Sequence, residues 1–236
     1  MSKFSNSQKV VFSNKFENYN SVEYQILKET FQKMPMMDHW IANIIEEYIY
    51  STVREYHEDG SLKVEYRTKY GEKDGEYKQW YSNGKLWVQV TYIDGKLHGE
   101  YKEWNYDGSL WKQTTYKDGK LHGEFKKWYD NGKLFEQTTY KDDKIHGEFK
   151  EWHQDGTLFL QMSYVNGKRH GEYKTWHSNG QLETHAICKD DDLHGDYKSW
   201  YRNGNKCIEM TYVNGKKCGQ YKFWSNEGKL VENYVV

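Results

Sequence analysis

The chain has 236 residues, of which 36% are hydrophobic and 17% aromatic, so rings supply nearly half of its apolar character. That composition excludes a thick aliphatic core, and equally a disordered chain, which would be poor in aromatics. With 34 Lys+Arg against 35 Asp+Glu the formal charge is −1. This argues against nucleic acid as a partner, because such binding begins with net positive charge.

Taken in chain order, residues 1–50 come first and differ from the rest of the chain. They contain no apolar run of signal-peptide length, and no segment of the chain is apolar enough for a membrane span. The cysteines, Cys188, Cys207 and Cys218, are odd in number and widely spaced, which gives no disulfide framework and no zinc signature. The expected setting is a reducing, cytoplasmic one. Val22 to Tyr50 reads as two helices broken at Pro35, with Trp40, Ile41, Ile44, Ile45 and Tyr48 at helical spacing. A small helical N-terminal cap over 1–50 is expected, covering the open edge of the strands that begin after it.

From Ser51 to the C-terminus one unit recurs. GEYKQW at Gly75, GEYKEW at Gly99, GEFKKW at Gly123, GEFKEW at Gly147, GEYKTW at Gly171, GDYKSW at Gly195 and GQYKFW at Gly219 succeed one another at a constant step of 24 residues. A turn column stands at Gly60, Gly84, Gly108, Gly132, Gly156, Gly180, Gly204 and Gly228, each after Asp, Asn or, once, Glu. A second turn column reads Asp94-Gly95, Asp118-Gly119, Asp142-Asp143, Asn166-Gly167, Asp190-Asp191 and Asn214-Gly215. Asn-Gly and Asp-Gly supply the positive φ angles of turns between antiparallel strands. The residues between them are Tyr, Trp, Phe, Thr and Val, which suit a pleated surface. The fold class expected over 51–236 is an all-β repeat: an elongated, twisted antiparallel meander of 24-residue hairpins, about 16 strands in all. Glycine recurs too often for helices. Gly123 and its equivalents stand where a bulge or close backbone approach is expected. Closure into a barrel is the structural rival.

The pattern NGKL…YxDGKLHGEYKEW resembles the variant MORN repeat, the antitoxin-component-like form also found in large-DNA-virus arrays. The resemblance covers Ser51 to Val236 and implies a β-hairpin repeat fold with a binding role and no shared catalytic residues. Other roles it suggests are a membrane- or lipid-associated scaffold and an antitoxin-like inhibitor. Met34-Pro35 followed by Ile44, Ile45, Tyr48 and Ile49 resembles a degraded F-box, which implies a ubiquitin-ligase-type adaptor. Its proline-to-isoleucine spacing is longer than in that family, and the acidic residue is displaced to Asp38.

Several columns invite a chemical reading. Trp80, Trp104, Trp128, Trp152, Trp176, Trp200 and Trp224 form an aromatic column, with Trp87, Trp111, Phe135 and Phe159 on the adjoining strand. These rings read first as packing between units and second, because a single-layer sheet cannot hide both faces, as exposed anchors of a protein interface. Lys78, Lys102, Lys126, Lys150, Lys174, Lys198 and Lys222 form a second column. Six of its members have an acidic residue two positions earlier on the same face, so a neutral, solvated ladder is expected. The tryptophan and lysine columns together are the candidate interaction face. His98, His122, His146, His170 and His194 stand about 9.6 Å apart, two strands per unit, too far to share an ion. They read as turn-proximal packing positions. No metal, cofactor or catalytic residue is expected, because repeated columns lack a one-off convergent polar cluster. The expected function is a non-enzymatic scaffold for a protein partner, with end-to-end self-association through the last strand as a further possibility of the open edge.

Overall fold

The computed structural model describes residues 50–236, so the expected helical cap and the F-box-like segment lie outside the described residues. Those residues form 17 strands, from Tyr50–Tyr56 to Leu230–Val235. Each strand track pairs antiparallel with the tracks before and after it. The expected count of about 16 strands matches the number of strand tracks. The extra strand arises because one track is split at His146 into Lys144–Ile145 and Gly147–Trp152. Among the described residues no pairing joins the first strand to the last, so the sheet is open and the barrel is not formed. At about 4.8 Å per strand the sheet extends roughly 70 Å. Among the described residues no helix is long and apolar enough to cross a membrane.

One unit shows why this sequence folds this way. Leu110–Lys117 meets Lys120–Trp128 through a two-residue turn, in which Asp118 and Gly119 have φ of 51° and 83°. Both angles are positive, as the twist-matched type I′ hairpin requires. The second turn is wider and leads to Leu134–Lys141. There the Tyr129 N–H donates to the Lys133 carbonyl at 2.8 Å, and the Gly132 N–H donates to Tyr129 at 2.9 Å. Asn131 Oδ1 accepts the Lys133 N–H at 3.0 Å, locking the loop with a local Asx bond.

Two irregularities per unit set the faces. At Gly123, φ is 101° and the register with the preceding strand shifts between Thr114↔Phe125 and Tyr116↔Leu121. The expected bulge is therefore present, whereas no close backbone approach is: the nearest atom to a Cβ there would be the Thr115 Cβ, in ordinary contact at 3.4 Å. The second is a one-residue shift between Lys127 and Trp128. Simple alternation therefore counts faces correctly only between the two irregularities.

Within that window the sheet has two unlike faces. On one, a row runs across neighbouring strands as Tyr77, Val90, Tyr101, Thr114, Phe125 and Thr138, each the register partner of the next. Large rings alternate with smaller side chains, and the same alternation continues through Phe149, Met162, Tyr173, Ala186 and Tyr197. The smaller members are roofed by rings on both sides: Thr114 is 1% exposed and Thr138 2%. A single layer thus makes its own core from alternating heights. Edge-to-face contacts add to it, as between Tyr101 and Tyr116 at 5.8 Å and Phe125 and Tyr140 at 5.4 Å.

Candidate interaction faces

The face opposite the ring row carries the lysine column, and its charges are consumed internally. Lys126 Nζ lies 2.7 Å from Glu124, whose side chain also accepts from Gln137 Nε2 at 3.0 Å. Lys78, Lys102, Lys150, Lys174 and Lys198 make the same pair with the acid two residues before them. Lys222 follows Gln220, which instead donates to Asn233. In four units a glutamine of the next strand (Gln89, Gln113, Gln137 or Gln161) completes a Lys–Glu–Gln triplet, and at Glu172 His185 takes that place. Each contributes little on its own, but together they leave no directed field along that face.

The seven tryptophans of the column are all half-buried beside the wide turns, and among the described residues no ring contact joins one to another. Their backbone carbonyls are acceptors in a stitch between units. Tyr81 Oη donates to Trp104, Tyr129 Oη to Trp152, and Tyr201 Oη to Trp224, at 2.7 to 2.9 Å. His177 makes the equivalent bond to Trp200 at 2.9 Å. The more exposed rings lie on the adjoining strand, where Trp87, Trp111 and Phe159 are above one-third exposed.

The histidine column lies at the tight-turn edge. His98, His122 and His170 Nδ1 approach Asp118, Asp142 and Asp190 of the next unit at 3.4 to 3.6 Å. His194 meets Asn214 at 3.2 Å. This is the turn-proximal packing position expected of it. The cysteines stay apart, with Cys188 buried in a tyrosine column and Cys207 and Cys218 half-buried elsewhere.

One constellation escaped the sequence reading. Beside the ring row runs a second row on the same face: Val88, Glu103, Lys112, Lys127, Glu136, Glu151 and Leu160, again register partner to register partner. Its ends are apolar, and five consecutive members in the middle are charged. Lys127 Nζ pairs with Glu136 at 3.0 Å, where the glutamate side chain is 11% exposed. Glu103 accepts from Tyr101 Oη at 2.9 Å and from Trp87 Nε1 at 3.3 Å. Burial, and then the bond to Glu103, push the Tyr101 phenol well above its usual range. Lys112 lies over the Tyr101 and Phe125 rings at 5.1 and 5.6 Å and makes no ion pair among the described residues. Burial holds its ammonium below the usual lysine range, against the pull of Glu103. Glu151 has neither an ion pair nor a hydrogen bond among the described residues. Burial first, and then the Glu136 carboxylate beside it, raise its carboxyl. A cluster that occurs once, on repeats that otherwise copy each other, differs from the expectation that no such cluster exists. An alignment of the units would have signalled it, since the column of Lys112 and Glu136 holds Val64, Val88, Leu160, Thr184 and Ile208 in other units.

The family model described as the MORN repeat variant matches residues 73–94, 97–118, 121–142, 145–166, 169–186 and 193–214, more than half of the chain. The chain belongs to the MORN repeat variant family. Each matched MORN segment starts within or next to a strand such as Lys120–Trp128 and ends at or before the next tight turn. No curated protein matches the chain. Similar solved structures include a mutant S. aureus TarM in complex with fondaparinux, alpha-GlcNAc-glycerol and UDP. It is 11% identical with a TM-score of 0.17, covering 92% of this chain and 32% of that one. TcdB2-TccC3 is 10% identical with a TM-score of 0.18, covering 79% of this chain and 14% of that one. The MORN repeat chain thus spans less than a third of the length of either.

Proposed function

We propose that this MORN repeat chain is a non-enzymatic interaction scaffold that docks a protein partner on its ring-bearing face. The observation that carries this reading is the inequality of the two faces. The lysine face satisfies its charges within each unit, whereas the other face presents a continuous row of Tyr and Phe rings with no second layer over it among the described residues. Rings set in a firm frame, bordered by more exposed Trp87, Trp111 and Phe159, are the residue types that protein interfaces favour. In the tryptophan–lysine strip the lysines pair within their own face, and the backbone carbonyls of the tryptophans accept bonds from the preceding unit.

The test is affinity capture from the native host with three forms of the full chain. Wild type and a polar-face variant, Lys126→Ala with Lys150→Ala, are expected to recover the same protein. A ring-face variant at two exposed rings, Trp111→Ala with Phe159→Ala, is expected to lose it while keeping its β-type circular dichroism. Recovery that survives the ring-face change, or vanishes with the polar-face change, would put the docking face elsewhere.

A further inference from the structure

The five-charge row is the feature of the ring-bearing face that repetition does not explain. Charged side chains on a packed face are retained at a cost unless they are paired. Here the Lys127–Glu136 pair is satisfied, while Lys112 and Glu151, the members on either side of it, are not paired. Lys127 and Glu136 satisfy each other, and Glu103 is held by Tyr101 and Trp87. Lys112 on one side has two rings beneath it and, among the described residues, no carboxylate in ion-pair reach. Glu151 on the other side faces a second carboxylate, Glu136, as its register partner. Two residues along the same strand and on the same face is Thr114, 1% exposed, whose hydroxyl has no hydrogen-bond partner among the described residues. An unmatched cation, an unmatched anion and an orphaned hydroxyl therefore lie together on this face.

The geometry points to a specificity site for an extended peptide segment of the protein partner, one that brings an acidic side chain to Lys112 and a basic side chain to Glu151. The spacing comes from the strand tracks. Lys112 and Glu151 are three tracks apart, about 14 Å. An extended chain rises about 3.4 Å per residue and returns to the same side every second residue. Two side chains on one side at that separation are about four residues apart. The segment would lie along the row, across the strands of the array. Its apolar residues on the same side would meet Val88 and Leu160, which flank the charges. Complementary charges of this kind set which partner binds, and in which direction, more than how tightly it binds.

This inference rests on the ring-bearing face being the docking face, and the test separates the two. A random peptide library displayed on phage is selected against the full wild-type chain. It is also selected against a reversed form, Lys112→Glu with Glu151→Lys, and a neutral form, Lys112→Met with Glu151→Leu. The ring-face variant Trp111→Ala with Phe159→Ala serves as the fourth target. Wild type is expected to enrich peptides with an acidic and a basic residue about four apart. The reversed form should enrich the opposite order along the row, and the neutral form should bind the wild-type winners about tenfold more weakly. Enrichment that depends on the ring face but shows no charge pattern, or the same winners with all three charge forms, would overturn the site and leave the docking face standing. Enrichment that does not depend on the ring face would overturn both.

Discussion

Gly123 and Gly132 both have positive φ, yet the chain needs them for different reasons. At Gly132, with φ of 77° and open space around a notional Cβ, only the left-handed backbone is at stake. Gly132→Ala is expected to cost about 1 kcal/mol. At Gly123, φ of 101° lies outside the pocket that L residues tolerate, and Thr115 stands 3.4 Å from the new Cβ. Gly123→Ala is expected to cost about 2–3 kcal/mol, and urea unfolding of the two variants side by side would show the difference. Glu151 makes a separate prediction with the opposite sign. Its raised carboxyl means that the fold prefers the protonated form, so its contribution is fully present below the ordinary glutamate value of about 4.3 and is lost as pH rises through the folded value. Glu151→Gln should therefore melt above wild type at pH 7. The gap should close as the pH is lowered past about 4; a variant less stable than wild type at pH 7 would mean that Glu151 has a partner in the fold.

At the scale of the element, a strand pair becomes an array only through bonds between units. The tight turns supply one set, as in the Gly119 N–H donating to the Leu97 carbonyl at 2.8 Å. The wide turns supply another, through Asn131 Nδ2 to Gln154 at 2.8 Å and Tyr129 Oη to Trp152 at 2.7 Å. Tyr129→Phe keeps the ring against Phe135 and removes only the hydroxyl bond. The expected loss is about 1 kcal/mol, with faster hydrogen exchange at the turn around Asn131 than at the turns three units away. The turn chemistry itself was legible, since Asp-Gly and Asn-Gly name their own backbone angles. The bonds between units were less so, because Tyr129 and Trp152 are 23 positions apart and the tryptophan column advertises rings, whereas the groups used are carbonyls.

For the whole molecule, the constant 24-residue step makes a sharp prediction about length. Removing residues 168–191 excises one complete unit and rejoins a tight turn to an equivalent strand. The shortened chain should fold with unchanged β-type circular dichroism, and its maximum dimension in solution scattering should fall by about 10 Å, the width of two strands. Removing residues 168–180 instead deletes one strand and one turn. It would place Met162 and Ala186 on adjacent strands without the Tyr173 ring that separates them. That protein is expected to lose cooperative unfolding, and equal stability of the two deletions would mean that ring alternation does not hold the layer together.

The sequence by itself determined the period, the strand and turn alternation, the glycine at the bulge and wide-turn positions and the neutrality of the lysine face. Each of these is written locally, within a few residues, and then copied. Only the tertiary structure decided which residues share the other face. Two register shifts per unit displace simple alternation, so the ring row and the Glu103–Lys112–Lys127–Glu136–Glu151 row exist only once the strands are laid in their observed pairing. The physical reason is that repetition encodes what every unit does alike, while a site is made of what single units do differently, and proximity across strands brings those differences together.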